Sequence, residues 1–308
     1  MKLLFAGTPA PAVPVLRHLV AQGHEVVVVL TRPDAVAGRG QRAVISPVAE
    51  AARELGLEVH KPASLRAAEI EAWVSGLDID VAVVVAYGLL IPRSLLTIPR
   101  FGWLNLHFSL LPAWRGAAPV QHAIAHGDDI TGACVFQLEE GLDTGPILGY
   151  LTESISPVDT AGSLLDRLAE GGAHLMSAVL EALADGTASA TAQPDEGISW
   201  APKIAATDAH ISWVDPAITI ERVVRAYAPQ PGAWSMFSGA RIKIGEGIRI
   251  LNETTLPTGA IAVSKDSVRV GTGSTDVELA SVKPAGKAWM RAADWGRGLR
   301  VSEGVRFE

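Results

Sequence analysis

Hydrophobic residues in the first two hundred positions alternate between two textures. Residues 2–6 and 24–30 are almost continuous apolar runs, the second a string of valines. Between them, residues 12–20 repeat their apolar positions at the three- and four-residue spacing of a helix. Runs apolar on both faces and separated by helices predict parallel strands of a sheet covered on both sides. The same alternation predicts helices over 47–55 and 65–74, strands over 80–86 and 102–107, and a long amphipathic helix over 160–183 carrying Leu164, Leu165, Leu168, Leu175, Met176, Val179, Leu180 and Leu183 as its stripe. This is the pattern of a doubly wound, Rossmann-like α/β domain, whose ligands sit beyond the carboxyl ends of the strands. Gly7, Tyr87-Gly88 and the pair Asn105/His107 fall at such ends and are expected to share one crevice.

Beyond residue 185 the texture changes to Gly, Thr, Ser and Pro, the composition of an extended linker. A short helix is predicted over 218–227, then a Pro229-Gln230-Pro231-Gly232 turn. Short alternating runs follow over 233–237, 240–244, 247–251, 259–263, 267–271 and 277–282, which predict a small antiparallel barrel of the oligonucleotide-binding (OB-like) kind. A length of 308 residues is more than one core usually serves, so the division expected is 1–189, a linker over 190–205, and 206–308. Charge divides along the same line. Residues 1–200 hold 12 Lys/Arg against 22 Asp/Glu, a net −10, while 201–308 hold 14 against 11, a net +3. The C-terminal part is therefore the more suitable face for a polyanion.

Candidate chemistry concentrates in residues 102–119. If 102–107 is a strand, Asn105 and His107 leave the same face, and an amide beside an imidazole can hydrogen-bond a carbonyl, move a proton and steady a tetrahedral intermediate. Gly141-Leu142-Asp143-Thr144-Gly145 sets a carboxylate in a tight loop that could face the imidazole. Neither G-x-G-x-x-G nor G-x-x-x-x-G-K-[ST] occurs near Gly7, so no dinucleotide or triphosphate cradle is expected. His122 and His126 share a helix face but have no third ligand in view, and they read as structural, with no metal site. Arg32, Arg39 and Arg42 lie in a long Gly-containing connection, 31–46, which reads either as a phosphate-gripping arm or as a solvated loop. Cys134, the only cysteine, sits in an apolar run and reads as a packing residue. A lone cysteine, no secretory pattern and no long apolar run lead to the expectation of a cytoplasmic protein with no membrane association.

Several of these segments together resemble a known family. Asn105-Leu106-His107, Ser109-Leu110-Leu111-Pro112, Arg115-Gly116-Ala117-Ala118-Pro119 and Gly141-Leu142-Asp143-Thr144-Gly145 are similar to the signature of the 10-formyltetrahydrofolate-dependent formyltransferases. Phe5-Ala6-Gly7-Thr8-Pro9, the stretch from Gln41 to Pro47, Val84-Val85-Ala86-Tyr87-Gly88 and Lys283-Pro284-Ala285-Gly286-Lys287 extend the likeness toward the branch that acts on charged tRNA. The resemblance implies 10-formyltetrahydrofolate as formyl donor and the α-amino group of methionine on charged initiator tRNA as acceptor; no metal and a monomer are expected. It implies catalytic roles for Asn105, His107 and Asp143. It further implies a folate pocket lined by Ser109, Leu110, Leu111, Pro112, Val85, Tyr87, Gly88 and Leu90, and tRNA contacts from Arg39 and Arg42. Phe108 departs from the small residue usual between the histidine and the serine, and is expected to crowd the site. The other readings are a formyltransferase acting on an amino-sugar nucleotide and a non-catalytic RNA-binding protein.

Overall fold

The computed structural model describes residues 1–37, 42–299 and 306–308. In chain order the first two hundred residues form β1 (Lys2–Gly7), α1 (Ala12–Ala21), β2 (Glu25–Leu30), β3 (Ala35–Ala37), β4 (Arg42–Val44), α2 (Pro47–Glu54), β5 (Val59–His60), α3 (Ala68–Ser75), β6 (Val81–Val85) and α4 (Arg93–Leu96). They continue with β7 (Trp103–His107), β8 (Arg115–Gly116), α5 (Pro119–His126), β9 (Ile130–Gln137), β10 (Ile147–Ser154), α6 (Ala161–Ala184) and β11 (Trp200–Ala201).

Seven of these strands make one sheet in the order β10-β9-β7-β6-β1-β2-β5. The apolar runs do pair in parallel, β1 with β2 and β6, β6 with β7, β2 with β5. The sheet is not wholly parallel, however. β9 runs antiparallel to β7, and β10 antiparallel to β9. β10 is an edge strand whose residues alternate between half-buried and exposed over much of its length, so it lacks the continuous apolar signal of the strands inside the sheet. All five residues of β6 are buried, and Leu4, Leu30, Leu65, Ala82, Leu95 and Trp103 pack in one core cluster on the sheet. Trp103 satisfies its indole there by donating to Leu95 O at 2.7 Å. α2 starts where Ser46 Oγ accepts from Ala49 N at 3.1 Å, with Pro47 in the first turn. α3 begins at Ala68, later than the apolar pattern suggests, because Leu65 enters the core from the preceding loop.

The remaining elements are α7 (Ala217–Ala226), β12 (Trp234–Phe237), β13 (Ala240–Ile244), β14 (Arg249–Ile250), β15 (Ile261–Val263), β16 (Val268–Val270), β17 (Val277–Glu278), β18 (Ser281–Pro284), β19 (Met290–Arg291) and α8 (Ala292–Arg297). They form two four-stranded antiparallel sheets, β12-β13-β18-β19 and β14-β17-β16-β15. The run over 277–282 is thus two strands serving different sheets. Ile211, Trp213, Ile220, Val224, Ile242, Val270, Val282 and Phe307 share their core, with the Trp213 and Phe307 rings stacked at 5.0 Å.

By contacts the chain divides into two compact units, Met1–Pro119 with Ile130–Ser154 and Leu165–Pro202, and Val120–Asp129 with Ile155–Leu164 and Lys203–Glu308. Residues 190–202, expected to serve as linker, group with the first unit. Among the described residues no helix is long and apolar enough to cross a membrane.

Candidate active site

At the carboxyl ends of β6 and β7 a cleft of about 580 Å³ opens within the first unit. The pleat of β7 brings Asn105 and His107 to it together, and Tyr87, Gly88, Leu90 and Asp143 border it as well. Its size lies within the usual range of about 300–1,000 Å³ for small-molecule sites. Its lining is mixed: Tyr87, Leu89, Ile91, Leu96 and Phe108 supply apolar surface, and Asn105, His107, Asp143 and the 139–143 loop supply polar groups. The turn after β6 is fixed by Ala86 and Gly88 at positive φ (48° and 81°) and by Thr8 Oγ1 donating to Tyr87 O at 2.9 Å. Tyr87 is 2% exposed, and its hydroxyl finds no protein partner among the described residues. Burial pushes that phenol well above its ordinary range.

His107 is 5% exposed. Its Nε2 lies 3.0 Å from Trp114 O, and because a carbonyl only accepts, Nε2 carries the hydrogen. Nδ1 then holds the lone pair, 3.8 Å from Asp143 Oδ2. Burial pulls the imidazole below its ordinary value of 6.5, while the Asp143 carboxylate and, after it, the Trp114 carbonyl act in the opposite sense. We take the direction to be downward, since desolvation of a ring this enclosed outweighs a carboxylate beyond hydrogen-bonding distance. The resting group is therefore a neutral imidazole with a carboxylate ready to hold its cation.

Asp143 is held from several sides. Gly116 N donates to its Oδ2 at 2.7 Å, and Gln193 Nε2 donates to its carbonyl and to that of Gly145, both at 2.8 Å. Arg115 in turn donates to Gln193 Oε1 from Nη2 at 2.7 Å and Nε at 3.2 Å. Asp143 has a φ of 52°, a left-handed conformation unfavourable to a side chain. At Gly145 a Cβ would stand 1.7 Å from Gln137 O, so only glycine lets the loop lie that close to β9.

Other sequence expectations are placed differently. Val85 is fully buried and away from the cleft, because the pleat that turns Val84 and Ala86 toward it turns Val85 to the opposite face. Ser109, Leu110, Leu111 and Pro112 do not border the cleft. Ser109 Oγ donates to Ala113 O at 2.6 Å, Leu111 packs with Cys134, Phe136 and Ile147, and Leu110 and Leu111 instead line a separate cavity of about 510 Å³ beside β10. Gly7 stays out of the cleft too; a Cβ there would meet Ala12 Cβ at 2.9 Å, and its role is the close turn into α1. Phe108, 7% exposed, does border it. Cys134 is fully buried, its thiol pushed up to about 12 by burial, and so lacks the thiolate a nucleophile needs. His126 Nδ1 donates to His122 O at 2.9 Å, and among the described residues no group of His, Cys, Asp and Glu is arranged to hold a metal. Arg39 and the side chain of Arg42 lie outside the described residues. Gln193 carries no sequence signal of its own, being one amide in a polar stretch fifty positions from the loop it holds.

The family of formyl transferases matches residues 1–180, and its C-terminal domain matches residues 203–300. The chain belongs to the formyl transferase family. Among its relatives, a methionyl-tRNA formyltransferase of Streptomyces griseus is 53% identical over 99% of this chain and 98% of its own length, and one of Mycobacteroides abscessus is 52% identical over 99% of both. Three solved structures share the fold of this family member. An N-formyltransferase of Helicobacter canadensis, in complex with folinic acid and dTDP-3-aminofucose, superposes with a TM-score of 0.67 at 17% identity, covering 91% of this chain and 98% of that one. A methionyl-tRNA formyltransferase of Clostridium thermocellum gives 0.58 at 14% identity, with 91% and 98% covered. HypX of Aquifex aeolicus with tetrahydrofolic acid gives 0.65 at 19% identity; that likeness covers 99% of this chain but only 50% of HypX.

Proposed function

We propose that this formyl transferase moves the formyl group of 10-formyltetrahydrofolate to the α-amino group of methionine on charged initiator tRNA. The observation that carries the reading is the end-to-end 53% identity with relatives named for that reaction. The cleft supports the chemistry. Its apolar lining, with Tyr87 and Leu89, suits the flat ring of a folate, and its polar residues suit the formyl group.

In this reading the methionyl amine attacks the formyl carbon, and the carbonyl electron pair moves onto oxygen, where Asn105 donates a hydrogen bond. His107 has Nε2–H committed to Trp114 O, so it takes the amine's proton at Nδ1. Asp143 faces that nitrogen and steadies the imidazolium. The tetrahedral species then collapses, the carbonyl re-forms, and the folate nitrogen leaves with the proton returned by His107. Residues 1–189 carry this chemistry; residues 206–308, folded as an OB-like barrel, add affinity for tRNA, and the arm with Arg39 and Arg42 meets the acceptor end. The setting is the cytoplasm, and the acting species a monomer.

Fold likeness to the Helicobacter enzyme keeps an amino-sugar nucleotide as the rival acceptor. The purified protein is given 10-formyltetrahydrofolate with charged initiator methionyl-tRNA, and separately with a dTDP-amino sugar. Formylation of the tRNA alone is expected. Formylation of the sugar alone, or of neither, overturns the reading.

A further inference from the structure

We propose that Gln193 is a positioning residue for the reaction, setting the approach of Asp143 to His107; this rests on the roles given above to those two residues. The amide of Gln193 bridges two parts of the site. Two carbonyls of the acidic loop, those of Asp143 and Gly145, accept from its Nε2, and its Oε1 accepts twice from Arg115. Only this amide orientation is tenable, because a flip would set oxygen against two carbonyls and nitrogen against a guanidinium.

The hydrogen bonds close into a ring. Arg115 is followed by Gly116, whose N–H holds Asp143 Oδ2, so one two-residue strand grips the aspartate by its carboxylate directly and by its carbonyl through Gln193. β8 is itself fixed by parallel pairing with β11, and Ser199 Oγ accepts from Trp114 N at 2.8 Å. Trp114 O is the acceptor that fixes the His107 tautomer. The stretch from Gln193 to Ala201 therefore holds the Asp143 backbone through Gln193 and the imidazole through Trp114. Asp143 needs such support, since its backbone sits at φ 52°, a strained state that persists only when its surroundings hold it there. Without Gln193 the loop can relax, and the 3.8 Å approach to Nδ1 is the distance that changes.

The test compares Gln193→Ala, Gln193→Glu, Asp143→Asn and the double variant Gln193→Ala/Asp143→Asn in the full chain, with thermal melts to confirm folding. Gln193→Glu keeps the size and the acceptor for Arg115 but removes the donor to the two carbonyls, so it reads that bridge even if the alanine variant folds poorly. Each Gln193 variant is expected to lose about 10- to 100-fold in kcat while KM for folate and tRNA changes little. The double variant is expected to fall no further than Asp143→Asn, because Gln193 acts through Asp143. NMR titration of the His107 ring is expected to move downward in Gln193→Ala, in the same direction as in Asp143→Asn. Wild-type kcat in Gln193→Glu, or losses that multiply in the double variant, overturn this inference while leaving the reading of the site intact. Wild-type kcat in Asp143→Asn overturns that reading and this inference with it.

Discussion

At the scale of the residue, His107 decides what the cleft can do. Its burial favours the neutral ring, and Asp143 and the Trp114 carbonyl favour the cation, with burial ahead. NMR titration of labelled histidine, assigned with a His107→Asn variant, should place this ring below 6.5, and Asp143→Asn should lower it further by removing the carboxylate that favours protonation. A ring titrating at or above 6.5, or one indifferent to Asp143, contradicts the geometry. The same shift bears on stability. An unfolded histidine takes up its proton near 6.5 while the folded one stays neutral, so the unfolded state binds more protons, and this site's contribution to stability declines as pH falls below 6.5 toward the folded value. Asn105, His107 and Asp143 are legible in the sequence because each is a polar side chain at the end of an apolar run or between glycines. The groups that tune them are not. Trp114 O and Gly116 N are backbone atoms, which every residue possesses, and Gln193 lies in a stretch with no periodicity.

At the scale of the element, the strong signals are the buried strands and the long helix, and the weak ones are short or lie at an edge. β6 is buried and apolar throughout, β7 is buried and apolar except at Asn105 and His107, and both announce themselves. β8 and β11 have two residues each, too few for any period to register, yet their pairing holds the site together. β3 and β4 likewise form a hairpin within the 31–46 connection that its composition presents as irregular. Gly116 joins β8 to the chemistry. Its φ is 127°, and a Cβ there would stand 2.5 Å from Ala201 O. Gly116→Ala should therefore cost at least about 1–3 kcal/mol through backbone strain. It should also push β8 from β11 and draw Gly116 N away from Asp143 Oδ2. Thermal unfolding temperature and kcat should both fall; an alanine variant with wild-type melting and turnover would show that the site does not depend on this close pairing.

At the scale of the whole molecule, residues 1–200 and 201–308 carry net charges of opposite sign, −10 against +3, and this is visible in the sequence as counts alone. The later unit also displays an exposed hairpin between β18 and β19, with Lys283, Lys287, Trp289 and Arg291 at its surface. Cations beside an exposed indole suit a phosphate backbone and an unstacked base. If this hairpin meets tRNA, replacing Lys283, Lys287 and Arg291 by Gln should weaken tRNA binding and flatten its dependence on the logarithm of salt by about 0.7 to 0.9 for each phosphate no longer neutralised. Turnover at saturating tRNA should be kept, because none of the three borders the cleft. His107→Asn should behave in the opposite way, binding tRNA with the wild-type salt slope while losing kcat. Arg39→Ala/Arg42→Ala separates the arm from the hairpin: an arm that places the acceptor end lowers kcat as well as affinity, whereas one that only adds charge changes affinity and slope together. Filter binding across a salt series, paired with single-turnover kinetics, distinguishes the three. Wild-type slopes in both the hairpin and arm variants would remove tRNA contact from these surfaces and move the search to the remaining basic residues of 201–308.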